Sequence, residues 1–146
     1  MLIYAESSAV LAWMLDQAGA SEVGSLLANA KEITCSALTI LECERVLFRG
    51  VAGGRFSPAE RENFEKSLHE TSRTWSVSGI TPEVLAAARR PFLREPVRAL
   101  DAIHLGTALH LRRELPALAF LSIDRRVAEN AALLGFEVLP RGGRDR

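Results

Sequence analysis

Aspartate and lysine are scarce in this chain of 146 residues: four Asp stand against 14 Glu, and two Lys against 16 Arg. Cysteine is scarcer than a disulfide framework needs. Cys35 and Cys43 fall in apolar segments and read as reduced, small apolar residues. No run approaches the ~18 consecutive apolar residues of a membrane span. The N-terminus has no basic stretch, and Glu6 interrupts its apolar run, which argues against a signal peptide. These absences point to a soluble, cytoplasmic protein that makes no membrane contact. The formal net charge is zero, so no global field draws in nucleic acid. The Arg excess fits either bidentate phosphate contacts or the composition of a GC-rich genome. There is no glycine-rich phosphate loop, which leaves a nucleotide-loop phosphoryl-transfer enzyme without support.

What is present is an ordinary globular mixture, 48% hydrophobic and 25% charged. A chain of this length buries roughly 70% of its unfolded surface. We expect a single domain over 1–140 and a flexible tail over 141–146. Short, continuously apolar runs predict buried strands at 2–5, 33–35, 75–77, 118–121 and 136–139. Helices are expected between them, at 8–15, 21–30, 38–49, 57–72, 81–90, 99–113 and 124–134. Ser7 or Ser8 can cap the first. Ser57-Pro58-Ala59-Glu60 has the form of a capping box with proline at the first helical position. Gly50 to Gly54 reads as a break, and Gly135 as a helix stop. Strands alternating with helices argue an α/β fold with a short central parallel sheet flanked by helices on both faces.

In open α/β sheets, ligands bind beyond the carboxyl ends of the strands. Glu6 follows the first strand and Asp124 the fourth. Glu42 lies early in the helix after the second strand, and Asp101 opens the most apolar helix, "ALDAIHLGTALHLRR". Four carboxylates can therefore meet at one rim. Taken singly, each has a plainer role as helix cap or solvated charge. Together they repel, and desolvation opposes their ionisation unless a cation compensates. Hard oxygen ligands suit Mg²⁺ or Mn²⁺, and such a site suits phosphodiester hydrolysis.

Four segments carry a resemblance: "LIYAESSAVL", "TCSALTILECERVL", "RALDAIHLGTALHL" and "FLSIDRRVAENAALLGFEVL". In order and spacing they resemble the PIN-domain ribonucleases, especially the toxins of VapBC-type toxin–antitoxin pairs. The resemblance spans nearly the whole chain, except for a stretch without signature from Gly53 to Arg94. It implies a PIN-like α/β fold and a metal-dependent endoribonuclease. It assigns Glu6, Glu42, Asp101 and Asp124 to the catalytic, Mg²⁺- or Mn²⁺-binding site. It also implies a homodimer, inhibition by a small cognate antitoxin, and DNA contact only through that antitoxin. One position departs from the family pattern: its first acid is Asp, and here it is Glu6. The added methylene moves the carboxylate outward. Activity then persists, shifts in metal preference, or weakens to leave a PIN-fold RNA- or protein-binding module.

Around these acids, Ser8 and Ser122 are candidates for supporting the acids or a metal-bound water. His104, one turn after Asp101, suits a packed or supporting role, and its spacing also permits joint metal binding. Arg94, Arg98 and Arg125 are candidates for RNA phosphates, contacts that position a strand without reading its sequence. Trp13 and Trp75 are expected to pack in the core or a dimer interface.

Overall fold

The computed structural model describes residues 1–141. The tail expected over 141–146 lies, beyond Arg141, outside the described residues. The chain runs β1 (Leu2–Ala5), α1 (Ser7–Met14), α2 (Ala20–Ala28), β2 (Glu32–Ser36), α3 (Ala37–Ala52) and α4 (Pro58–Ser72). It continues through β3 (Ser76–Ser78), α5 (Pro82–Ala88), α6 (Ala99–Arg112), β4 (Leu118–Leu121), α7 (Arg125–Leu133) and β5 (Val138–Leu139). The five strands form one wholly parallel sheet in the order β3-β2-β1-β4-β5. None of the described helices is long and apolar enough to cross a membrane.

The strands are short and apolar throughout because both faces of the sheet are covered. Side chains alternate between the two cores. Ile3 and Ala5 of β1 and Ala119 and Leu121 of β4 enter a core with Val10, Val23, Cys43 and Leu68. Tyr4 and Phe120, their neighbours in sequence, point the other way, into a core with Ala102, Leu105, Val127 and Phe136. Cys35 and Cys43 are free thiols in the first core; burial pushes the Cys35 thiol up to about 12 and raises that of Cys43 as well, so both stay protonated. Trp75 is buried there too, with Trp13 packed against it at the edge.

Several boundaries differ from the sequence expectation. α3 does not stop at Gly50 but continues to Ala52. Gly50 is buried under the Phe56 ring, where a Cβ would lie 2.2 Å from a ring carbon, so its lack of a side chain serves packing. The turn comes instead at Gly54, at φ 73°. β5 keeps only two of the four expected residues, although Phe120 N still donates to Glu137 O at 2.7 Å. The capping box at Ser57 and Glu60 forms as read.

Strand order places the site. After β1 the chain builds outward through β2 and β3, then returns to lay β4 on the opposite side of β1. The order reverses between β1 and β4, and crevices at such a switch point are where α/β sheets bind ligands. α6 crosses back to reach β4, so its N-terminus lies at the same rim. Its seat depends on Gly106: a Cβ there would come within 2.9 Å of Val84 O and 3.1 Å of Ala88 N in α5. Backbone cannot yield as a side-chain tip can. Gly106→Ala should therefore destabilise the fold by about 1–3 kcal/mol through overpacking, measured by denaturant unfolding. A neutral or stabilising result would show that α5 and α6 are not held at this distance.

Candidate active site

β1 gives way to α1 at Glu6, and Glu6 itself is the helix cap. Its Oε1 accepts from Ser8 N at 3.1 Å. The cap expected of Ser7 or Ser8 thus belongs to the residue before them. Nor does the extra methylene carry the carboxylate out to solvent: Glu6 is only 4% exposed. Oε1 also accepts from Ser7 Oγ at 2.8 Å. Oε2 accepts from Ser8 Oγ and, at 2.8 Å, from Ser122 Oγ. An ionised carboxylate offers about four lone-pair sites, so these donors meet its ordinary capacity.

The same serines tie Glu6 to the end of β4. Ser8 Oγ accepts from Ile123 N and Asp124 N, each at 3.1 Å, and Ser122 Oγ accepts from Asp124 N at 3.1 Å. Asp124 caps α7, with Oδ1 accepting from Arg126 N at 2.9 Å and Val127 N at 3.2 Å. Its Oδ2 has no hydrogen-bond partner among the described residues. Ser8 and Ser122 thus both donate to Glu6 and both accept from the Asp124 backbone.

Glu42 reaches the rim from α3. Its Oε1 accepts from Ser7 Oγ at 3.0 Å and from His104 Nε2 at 2.5 Å. His104 is buried, 3.9 Å from Glu6 Oε1. Its Nδ1 lies 2.9 Å from the Tyr4 hydroxyl. Both ring nitrogens of His104 are thus engaged within the protein. Asp101, at the start of α6, is half-buried and makes no side-chain hydrogen bond among the described residues. Its carboxyl is pushed above the ordinary Asp value, first by burial, then by Asp124 and Glu6, with Glu42 adding and His104 opposing. The four predicted acids therefore share one electrostatic environment.

No Lys or Arg forms an ion pair with any of these four acids among the described residues; the basic partner of Glu6 and Glu42 is His104. Grouped carboxylates without a fixed cation, three of them with open oxygens, match the donor chemistry of a hard divalent ion. They do not close tightly. The only described group of three potential ligands with atoms within 4.8 Å of one another lies elsewhere, on α3 and α4: Glu44, Glu65 and His69. There His69 is hydrogen-bonded to Glu44 at 2.8 Å and Glu65 is paired with Arg61, so both acids already have partners.

Of the candidate phosphate contacts, Arg94 pairs with Glu129 at 3.1 Å and Arg125 with the same carboxylate at 3.8 Å. Arg98 is exposed just ahead of α6 and pairs with no acid among the described residues. Sequence reading passed over Tyr4 and Asn130. Asn130 is buried in α7 and clamps the Arg94 backbone, accepting from its N at 3.2 Å and donating to its O at 2.9 Å. The alternation of β1 was the signal that could have placed Tyr4 under α6.

The family model for the PIN domain matches residues 3–133. Among solved structures, PAE2754 from Pyrobaculum aerophilum is similar at a TM-score of 0.59 and 15% identity, over 94% of this chain and 81% of that one. FitAB, in a structure bound to an IR36 DNA fragment, is similar at a TM-score of 0.64 and 12% identity, over 94% of this chain and 93% of that one. At such identities the likeness is one of fold. No curated protein matches the sequence.

The raised carboxyl of Asp101 has a consequence for stability. Its contribution is full below the unfolded pKa and is lost as pH rises through the folded value. Above the ordinary Asp value of 3.8, the metal-free protein therefore carries a cost that Asp101→Asn lacks. In chelator, we expect the variant to melt higher than wild type at pH 7, with the gap closing as pH falls toward 4. A gap independent of pH would remove the electrostatic origin.

Proposed function

The chain belongs to the PIN domain family, and on that premise we propose that it is a metal-dependent endoribonuclease toxin held in check by a cognate antitoxin. PIN domains are generally nucleases that use divalent metals. The observation that carries the reading to this chain is the shared field of Glu6, Glu42, Asp101 and Asp124 at the switch point, with no Lys or Arg paired to them among the described residues. These four carboxylates would hold Mg²⁺ or Mn²⁺. When bound, such a cation lowers the pKa of a water and neutralises charge on phosphoryl oxygens.

The chain's own part is to build and hold the centre. Ser7, Ser8 and Ser122 fix Glu6, and Ser8 and Ser122 also hold the backbone of Asp124. His104 and Ser7 orient Glu42. Arg98 and, once drawn from Glu129, Arg94 and Arg125 would steady the RNA backbone on either side. Hydrolysis joins a water oxygen to phosphorus and breaks the bond to the 3′ oxygen, leaving a 5′-phosphate and a 3′-hydroxyl. The protein would act in the cytoplasm as a homodimer. The DNA in the FitAB structure accords with a complex that reaches DNA, which here falls to the antitoxin, since this chain's own net charge is zero.

Glu6 favours a second function, an RNA- or protein-binding module with weakened cleavage, because its carboxylate is enclosed and its acceptor sites are filled. One experiment separates the two. Antitoxin-free protein should cut single-stranded RNA with Mn²⁺ or Mg²⁺ and stop in chelator. Asp101→Asn and Asp124→Asn should each lower the rate by more than the roughly 10–100-fold that losing an outer support of a metal site costs. Cleavage that survives both substitutions would sink the site. Cleavage absent in wild type but present in Glu6→Asp would establish the binding module.

A further inference from the structure

We propose that Tyr4 is a positioning residue of the acidic centre: its hydroxyl fixes His104 in the tautomer with hydrogen on Nε2, and that N–H holds Glu42 in place. The proposal deepens the reading of the site as a cation centre and rests on it for its consequence, though not for its geometry.

Tyr4 is the chain's only tyrosine and has no solvent exposure. Its ring is stacked on Phe120, with centroids 5.1 Å apart and planes at 29°, so the core fixes where the hydroxyl points. That hydroxyl is 2.9 Å from His104 Nδ1. On the far side of the imidazole, Nε2 is 2.5 Å from Glu42 Oε1. An ionised carboxylate only accepts hydrogen bonds, so this contact requires the hydrogen on Nε2. In the neutral ring Nδ1 is then an acceptor, and the phenol is the donor that satisfies it. The opposite tautomer would turn a lone pair on the carboxylate and leave two acceptors facing each other.

Without the phenol, Nδ1 loses its donor, and the tautomer is held from the Glu42 side alone. Glu42 has room to leave, since its side chain is 26% exposed and its other oxygen has no partner among the described residues. Ser7 Oγ cannot hold it alone, because the one hydrogen of that hydroxyl is shared with Glu6 Oε1. Outer partners of this kind set the orientation of metal-binding side chains elsewhere, at a typical effect of 10–100-fold on metal affinity.

Tyr4→Phe deletes the hydroxyl and keeps the ring on Phe120. In metal-free protein labelled at histidine and glutamate, the ¹⁵N spectrum of wild-type His104 should show hydrogen on Nε2 and none on Nδ1. Tyr4→Phe should move both ring nitrogens toward averaged values and shift the Glu42 carboxylate carbon. Calorimetry should then find Mn²⁺ bound about 10–100-fold more weakly than by wild type. A wild-type ring with hydrogen on Nδ1 overturns the proposal without any variant, even if Tyr4→Phe fails to fold. Unchanged ring and carboxylate signals in a folded Tyr4→Phe overturn it as well. So does a tautomer shift that leaves Mn²⁺ affinity within about twofold of wild type. Wild type that binds no Mn²⁺ at all would refute the cation centre and the consequence drawn for Tyr4, whereas the ring spectra alone decide the tautomer.

Discussion

The carboxylate of Glu6 stands at the one point where β1, α1 and the end of β4 meet, and it fastens all three. Its donors come from the α1 backbone, from two α1 hydroxyls and from Ser122 just past β4. Withdrawing an ionised group this far from water costs several kcal/mol in a real protein. Hydrogen bonds to a charged acceptor return roughly 1.5–3 kcal/mol each. Several such bonds together offset that cost. The serines are therefore the condition on which a buried glutamate can end the central strand. The same two serines that hold Glu6, Ser8 and Ser122, also accept from the backbone of Asp124.

The other acids follow from this anchor. Glu42 takes its position from Ser7, which touches Glu6 as well, and from His104, which Tyr4 braces from below. Asp124 has its carboxylate half committed to the α7 cap. Asp101 alone has no hydrogen-bond partner among the described residues, and its carboxyl is raised first by burial and then by the charges of Asp124 and Glu6. Burial and repulsion thus act together on the acid at the N-terminal end of α6. Packing, not polar bonding, holds that helix end, since Arg98 provides no side-chain cap and Gly106 seats the helix against α5.

Much of this was legible in the chain. Continuous apolar runs announced the strands because a sheet covered on both faces has no polar side to alternate with. Pro58 after Ser57, with Glu60 following, fixed a helix start by purely local chemistry. Strand ends pointed to Glu6 and Asp124, and those are the positions beside the switch point. What local pattern could not reveal was competition and distance. Glu6 and two serines all had the chemistry to cap α1, and only the fold shows that the serines are needed for Glu6 itself. Gly50 had the composition of a break, yet Phe56 turns it into a packing site inside a helix. The contact of Tyr4 with His104 joins residues 100 positions apart. Its existence depends on α6 lying over the Tyr4 face of β1, which no window of sequence contains.

A glutamate in place of the aspartate of the family pattern then has a structural reading. One more carbon–carbon bond adds about 1.5 Å of reach. In this chain that reach is directed inward, to the N-terminus of α1 and across to Ser122, and not toward solvent. The negative charge stays at the rim, where it still acts on Asp101. The lone pairs, however, are occupied. Among the described residues, open oxygens remain on Asp101, on Asp124 and on Glu42, each delivered by a different element. On the proposed function, a cation entering the centre would meet those three directly and Glu6 once a serine hydroxyl turned away. The longer side chain would then hold the strand end together before it offers oxygen to a metal.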